Sequence, residues 1–253
     1  MTWAREYYEE GYAQRWTLGP PSPGTREDAD ALASVLGLHG RDRVLDVGCG
    51  HGRHAVALAQ RGVRVVGVDF ASALLSRATD LAASLGVEVD WVRADMRRLP
   101  IRSASVNAVV SLDAFGFFDS DGDNEAALRE VRRVLAPGGR VLLKVTNAEP
   151  MVADFRTADR ESRGDSTIEI TRSLLSGPPR LVEHLVIQSP QGSGRFERRQ
   201  RIYSAAELRE TIKAAGLQPG AVTATISGAP FDLRRSPSIV LVAERAGACQ
   251  PHL

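Results

Sequence analysis

Val44-Leu45-Asp46-Val47-Gly48-Cys49-Gly50-His51-Gly52-Arg53 is an apolar run with one acid inside it, passing into three alternating glycines. A buried strand that runs into such a turn brings bare backbone close to a ligand, and the helix after it offers free N–H groups to polar or anionic atoms. Dinucleotide-binding folds carry a related turn, but their third glycine would stand where this chain has Arg53, so the spacing disfavours NAD. Asp46 is the second discriminator, because a carboxylate inside a buried strand is costly unless a donor or cation of the ligand meets it.

Outward from this stretch, short apolar runs alternate with segments of helical spacing: 44–47 then 54–60, 63–68 then 73–85, 87–93, 106–112 then 124–135, and 140–145. That alternation predicts parallel β/α/β units with right-handed crossovers, an α/β fold with a doubly wound sheet. After Asn147 the pattern changes. Strand-like segments at 167–175, 181–188 and 195–203 are separated by Gly177-Pro178-Pro179 and by Pro190-Gln191-Gly192-Ser193-Gly194, which predicts an antiparallel insertion. A helix resumes at Ser204, whose partner Glu207 makes a capping box, and stops at Gly216; strands at 221–226 and 238–243 close the core. The expected organisation is a helical segment over 1–36, a ligand-binding core over 37–148, an antiparallel β insertion over 149–203, the C-terminal part of the core over 204–245, and a tail over 246–253.

The charge balance names no partner. Lys and Arg total 32 against 31 Asp and Glu, so no overall field draws the chain to nucleic acid or to an anionic membrane. Cys49 and Cys249 make neither a disulfide framework nor a zinc spacing, and no metal site is expected. No apolar run reaches membrane-spanning length and residues 1–12 are no signal peptide, so a cytoplasmic location is expected.

Two further acids end strands beside the glycine turn. Val65-Val66-Gly67-Val68-Asp69-Phe70 puts Asp69 where a carboxylate takes both ribose hydroxyls, and Arg93-Ala94-Asp95-Met96 puts Asp95 where it accepts from an adenine amino group, with Phe70 and Met96 flanking the ring. These segments, together with Val131-Arg132-Arg133-Val134-Leu135-Ala136-Pro137-Gly138-Gly139-Arg140, resemble the class I S-adenosylmethionine-dependent methyltransferases, in particular their small-molecule branch. The resemblance implies a seven-stranded, Rossmann-like sheet with its last strand antiparallel, and S-adenosylmethionine as cofactor, released as S-adenosylhomocysteine. It implies that Gly48, Cys49 and Gly50 give backbone contacts to the methionine part and that Asp46 orients its amino group. Asp69 holds the ribose; Asp95 and the Met96 backbone read adenine; Ser111 and Leu112 offer carbonyls to the ammonium; Phe115 sits near the sulfonium. Arg53 reaches either the cofactor carboxylate or the N-terminal segment, or is a helix-surface arginine.

The acceptor is less legible. Ser111-Leu112-Asp113-Ala114-Phe115-Gly116-Phe117-Phe118 stands where methyltransferases of planar exocyclic nitrogens carry an Asn/Asp-Pro-Pro-aromatic tetrapeptide, and this departure argues against those substrates. A wall containing Phe117 suits an apolar or aromatic small molecule, and Asp113 could meet an acceptor amine. For a hydroxyl acceptor, His184 on the inserted strands is the candidate base. Tyr8 and Trp16 are expected to fold over the site as a lid. Arg195-Phe196-Glu197-Arg198-Arg199-Gln200-Arg201 is either a phosphate-binding strand or one solvated face, which at a subunit contact would make a homo-oligomer; Arg201 is placed toward the substrate. The leading reading is methyl transfer to nitrogen or oxygen of a small molecule, with no nucleic-acid or membrane partner. The alternatives are an RNA-modifying methyltransferase and a non-catalytic protein that binds the cofactor.

Overall fold

In a computed structural model, whose described residues are 2–12 and 22–247, a short helix α1 (Thr2–Arg5) widens into a π-helical turn over Glu6–Tyr12. The core then runs α2 (Pro23–Leu36), β1 (Arg43–Val47), α3 (Arg53–Ala59), β2 (Arg64–Asp69), α4 (Ser72–Ser84), β3 (Asp90–Arg93), β4 (Val106–Leu112), α5 (Asp121–Val134) and β5 (Leu135–Thr146). Past α6 (Ala148–Ala153) come β6 (Ala158–Arg163), β7 (Ser166–Leu175), β8 (Arg180–Ser189) and β9 (Gly192–Arg201), then α7 (Ala205–Ala214), β10 (Gln218–Thr223) and β11 (Ser238–Glu244).

The main sheet has the order β10-β11-β5-β4-β1-β2-β3, and β11 runs antiparallel to both its neighbours. The period of two along the strands explains the double winding. In β1, Leu45 and Val47 face the layer that holds Leu128 of α5 and Leu208 of α7, whereas Val44 faces the layer that holds Leu32 of α2 and Leu58 of α3. The chain order reverses between β1 and β4, so the crevice outside their carboxyl ends is where an open sheet of this kind takes its ligand.

The insertion is a separate four-stranded antiparallel sheet, β6-β7-β8-β9. Its end is fastened beside the crevice: Arg201 N–H donates to the Gly116 carbonyl at 2.7 Å, and Tyr203 pairs with Asn147. One face packs Ile168, Ile170, Leu185 and Ile187 onto Tyr7, which docks the N-terminal helix between the two sheets.

The capping box at Ser204 and Glu207 forms as expected, with hydrogen bonds of 2.9 and 3.1 Å. Elsewhere the edges differ from the sequence reading. β5 begins at Leu135 because Pro137-Gly138-Gly139, which reads as a turn, is absorbed by a register shift against β4. β10 lies three residues earlier than expected, an edge strand that tolerates Pro219 at an irregularity in its pairing. β6 is missing from the sequence reading altogether: its charged run shows no alternation, since main-chain pairing with β7 alone makes it a strand. Trp16, Cys249 and residues 248–253 lie outside the described residues.

Candidate active site

The turn after β1 is pinned to β2. Gly48 and Cys49 N–H both donate to the Val68 carbonyl, at 2.8 and 3.1 Å, and Gly50 N–H donates to Asp69 Oδ2 at 2.8 Å. The other Asp69 oxygen accepts from Ala71 N–H at 2.9 Å. Asp69 thus ties the glycine turn to the end of β2 while lining the cavity. Trp91 of β3 lies across Gly52 and Gly67, where an added Cβ would stand 2.5 and 2.3 Å from its ring, so side chains at either position would displace the indole.

The cavity so formed has a volume of about 730 Å³. Its floor holds Asp46, Gly48, Cys49, Gly50, Asp69, Phe70, Asp95, Met96 and Leu112; Arg53, Asp113 and Phe117 stand around it, and Tyr8 covers it. Asp46, Asp69 and Asp95, read from three separate strands, share this one hollow. A second hollow of about 810 Å³, around Arg41, Arg43 and Arg64, sits at the amino ends of β1 and β2, away from the switch point.

Electrostatically the floor is built from buried acids. Burial, and then the neighbouring Asp69, pushes the Asp46 carboxyl up to about 7, against the opposing pull of Arg53 and the Ala55 N–H. Asp69 is raised by burial in the same way, while its backbone hydrogen bonds act to lower it. Burial raises the Cys49 thiol well above its ordinary value, which leaves it unreactive as a nucleophile. His51 and His54, also on the wall, are pushed down to about 4 and about 3, first by burial and next by Arg53, so both imidazoles are neutral at physiological pH.

Several assignments change. Phe115 is buried at 2% exposure, stacks on Tyr203 with ring centroids 5.6 Å apart and does not line the cavity; Phe117 stands on the apolar wall as expected, joined by Phe118, because Gly116 turns the chain between Phe115 and Phe117. Ser111 is buried, its Oγ without a partner, and does not line the cavity, whereas Leu112 does. Arg201, expected toward the substrate, does not line the cavity: it is buried over the Tyr203 ring and donates to Glu207 at 2.8 Å and to the Ile202 carbonyl. His184 points away from the cavity, its side chain 61% exposed and 3.8 Å from Glu197. Strand parity is the cause, since Glu183 and Leu185 take the inner face and leave His184 outside. Asp113 stays on the wall, in a left-handed conformation at φ 56°, paired with Lys144 Nζ at 2.7 Å. Asp95 accepts from Arg97 Nη2 at 2.6 Å and from its backbone N–H at 2.9 Å; burial opposes, but Arg97 prevails and holds the carboxyl below the usual range. Arg97 Nε also reaches both carboxylate oxygens at 3.1 Å, so the roughly four lone-pair sites of Asp95 are already engaged and an adenine amino group would have to share or displace an Arg97 contact.

Glu9 has no place in the sequence reading, and Arg198 appears there only within the basic run 195–201. Helix α4 has Ala71 at its N-cap and no side-chain cap of its own. Glu9 supplies one across the cavity, accepting from the N–H groups of Ser72 and Ala73 at 2.8 and 2.9 Å. Tyr8 follows it down, edge-on to Phe70 at 5.7 Å and to Phe117 at 6.1 Å. No local motif marks a cap donated from 63 positions away. Arg198 of β9 lines the roof and is gripped by Glu183, which is 2% exposed; its partner shows in the sequence as a lone acid inside the apolar run 181–187, on the same parity as Leu185.

Residues 44–139 match the family described as methyltransferase domain. The cypemycin N-terminal methyltransferase of a Streptomyces species is 28% identical over 85% of this chain and 87% of its own length. The demethylmenaquinone methyltransferase of Thermus thermophilus is 43% identical, but over 40% of this chain and 46% of its own. Among solved structures, the CcbJ methyltransferase of Streptomyces caelestis superposes with a TM-score of 0.79 at 24% identity, covering 96% of each chain.

Proposed function

The chain belongs to the class I S-adenosylmethionine-dependent methyltransferases, and on that premise we propose that it moves the methyl group to a nitrogen or oxygen of a small molecule held against Phe117 and Tyr8. The observation that carries this is the cavity itself: one hollow with an acidic floor at the switch point and an aromatic wall and roof beyond it. The hollow fits the cofactor. Asp46 is a buried carboxylate in no ion pair with a described residue, and a Cβ on Gly50 would meet no atom within 4 Å, so backbone there faces open space. S-adenosylmethionine, when bound, supplies a methyl group on a sulfonium centre.

In this reading Asp46 takes the cofactor ammonium, Asp69 the ribose hydroxyls and Asp95 the adenine edge, while the turn 48–50 carries the methionine part. In-line displacement from a sulfonium disperses charge, so alignment and exclusion of water supply much of the rate without a general base. Tyr8, Phe70 and Phe117 do both, closing edge-on contacts over the cavity. His184, exposed and outside the cavity lining, is given no role in this reading. Support for an amine acceptor comes from the relative named for methylating the N-terminus of cypemycin.

Calorimetry with S-adenosylmethionine, S-adenosylhomocysteine and NAD is expected to show binding of the first two alone, and a mass-spectrometric screen of amines and alcohols to show a gain of one methyl group. Binding of NAD in their place, or cofactor binding with no methylated product from any amine or alcohol, overturns the proposal.

The lid is testable through Glu9. Removing an N-cap contact costs about 1 kcal/mol, here lost from the docked state of the N-terminal helix. Glu9→Ala is expected to speed hydrogen exchange over 2–12 and to weaken cofactor binding severalfold, with the melting of the core unchanged. Unaltered exchange in that segment rules out the latch.

A further inference from the structure

Three charged side chains cross the inner face of the second sheet in one row. Arg172 of β7 pairs in register with Glu183 of β8, and Glu183 with Arg198 of β9, amid the apolar Ile168, Ile170, Leu185 and Ile187. Glu183 Oε1 accepts from Arg172 Nε at 2.8 Å, and Oε2 accepts from Arg198 Nε at 2.6 Å and from its Nη2. Burying ions in an apolar layer adds little stability over well-packed hydrophobic residues, so a row of this kind needs another reason to exist. Its effect here is orientation. Glu183 grips one edge of the Arg198 guanidinium, and the remaining nitrogen, Nη1, donates to no described residue while the side chain lines the cavity. A planar fork held along one edge and open to the cavity along the other suits an oxyanion.

A second cation stands on the same wall. Arg5 of α1, which packs on β9, lines the cavity and makes no ion pair with a described residue. Lys144 is already engaged by Asp113. The hollow is therefore polarised, with Asp46 and Asp69 on the floor under the cofactor and arginine with open donors on the roof.

We propose that the acceptor carries a carboxylate beside its reacting atom, and that Arg198, aimed by Glu183, binds it. This rests on the reading of the cavity as a small-molecule methyl-acceptor site, and it narrows the substrate class to amino or hydroxy acids with an apolar or aromatic body. Arg198 is a specificity residue and Glu183 a positioning residue.

The test uses the full chain saturated with S-adenosylhomocysteine, whose own titration reports separately on the methyltransferase reading. Phenylalanine against phenylalaninamide, and ortho-aminobenzoate against its amide, are titrated into that complex by calorimetry. Each acid is expected to bind at least tenfold tighter than its amide. Arg198→Gln should erase the preference with unchanged affinity for S-adenosylhomocysteine; if that variant melts early, Arg198→Lys, which keeps a charge but loses the fork, should retain only part of it. Equal or tighter binding of the amides, no binding of any acid, or a preference that survives in a folded Arg198→Gln protein overturns the proposal, even where cofactor binding stands.

Discussion

Gly48→Ala is expected to weaken S-adenosylmethionine binding about a hundredfold while leaving the chain folded. The residue sits at φ 75°, and a Cβ built on it stands 2.3 Å from Ala114 Cβ. Ala114 has no side-chain torsion to relieve the overlap, so backbone must move. It cannot move freely: Gly48 N–H is bonded to Val68, and the 114–117 segment is tied to β9 through the Gly116 carbonyl. Left-handed backbone costs a non-glycine residue about 1 kcal/mol and overpacking about 2 kcal/mol more, together roughly two decades of affinity if the turn yields. Gly62→Ala is the control, since Gly62 has φ 79° but a Cβ added there meets no atom within 4 Å. It should lose about 1 kcal/mol of stability and bind the cofactor normally. Calorimetric affinity and thermal melting of the two variants decide the matter; a Gly48→Ala protein with native affinity would show that the turn need not approach Ala114.

That clash also explains which parts of the site were legible. Glycines spaced 48, 50, 52 announce a tight turn because only the local chain is needed to read them, and acids closing the runs at Asp69 and Asp95 announce a crevice because strand ends in an alternating β/α pattern share one side of a sheet. What the turn packs against was not legible. Ala114 and Trp91 meet it from other parts of the chain, and neither residue type signals such a contact. His184 shows the same limit at closer range: a strand was foreseen there, but its facing depends on a parity set by docking against Tyr7, and one position decides between a buried Glu183 and an exposed His184. Phe115 leaves the cavity while Phe117 lines it as expected, the two positions on either side of Gly116. The Phe-rich composition was readable; the turn geometry that chose the ring was not.

The second large effect concerns Asp46 and its proton. In the unfolded chain its carboxyl titrates near 4; in the folded protein it is pushed up to about 7 by burial and by Asp69. The folded state therefore holds a proton that the unfolded state has lost between those values, and stability falls as pH rises through that window, then levels off above it. The whole window corresponds to at most about 4 kcal/mol, a cost that the ligand-free protein bears at neutral pH. Asp46→Asn removes the charge and keeps the shape, so the ligand-free variant should melt higher than the parent at pH 7.5 and no higher near pH 4. Binding runs the other way. A cofactor ammonium favours the ionised carboxylate, so binding below pH 7 must expel the proton, and the affinity of the parent should rise about twentyfold between pH 5.5 and 7.5. Calorimetry at pH 6 in two buffers of different ionisation enthalpy should register release of nearly one proton. In Asp46→Asn the release should vanish, the pH dependence should flatten, and affinity at pH 7.5 should drop by two decades or more, since a buried charge partner is lost. A variant that binds as tightly as the parent and still releases a proton would transfer the titration to Asp69 and remove Asp46 from the ammonium site. Higher stability gained together with lost affinity, in one substitution that changes only a charge, is the signature expected of a carboxylate kept in the interior for a ligand's sake.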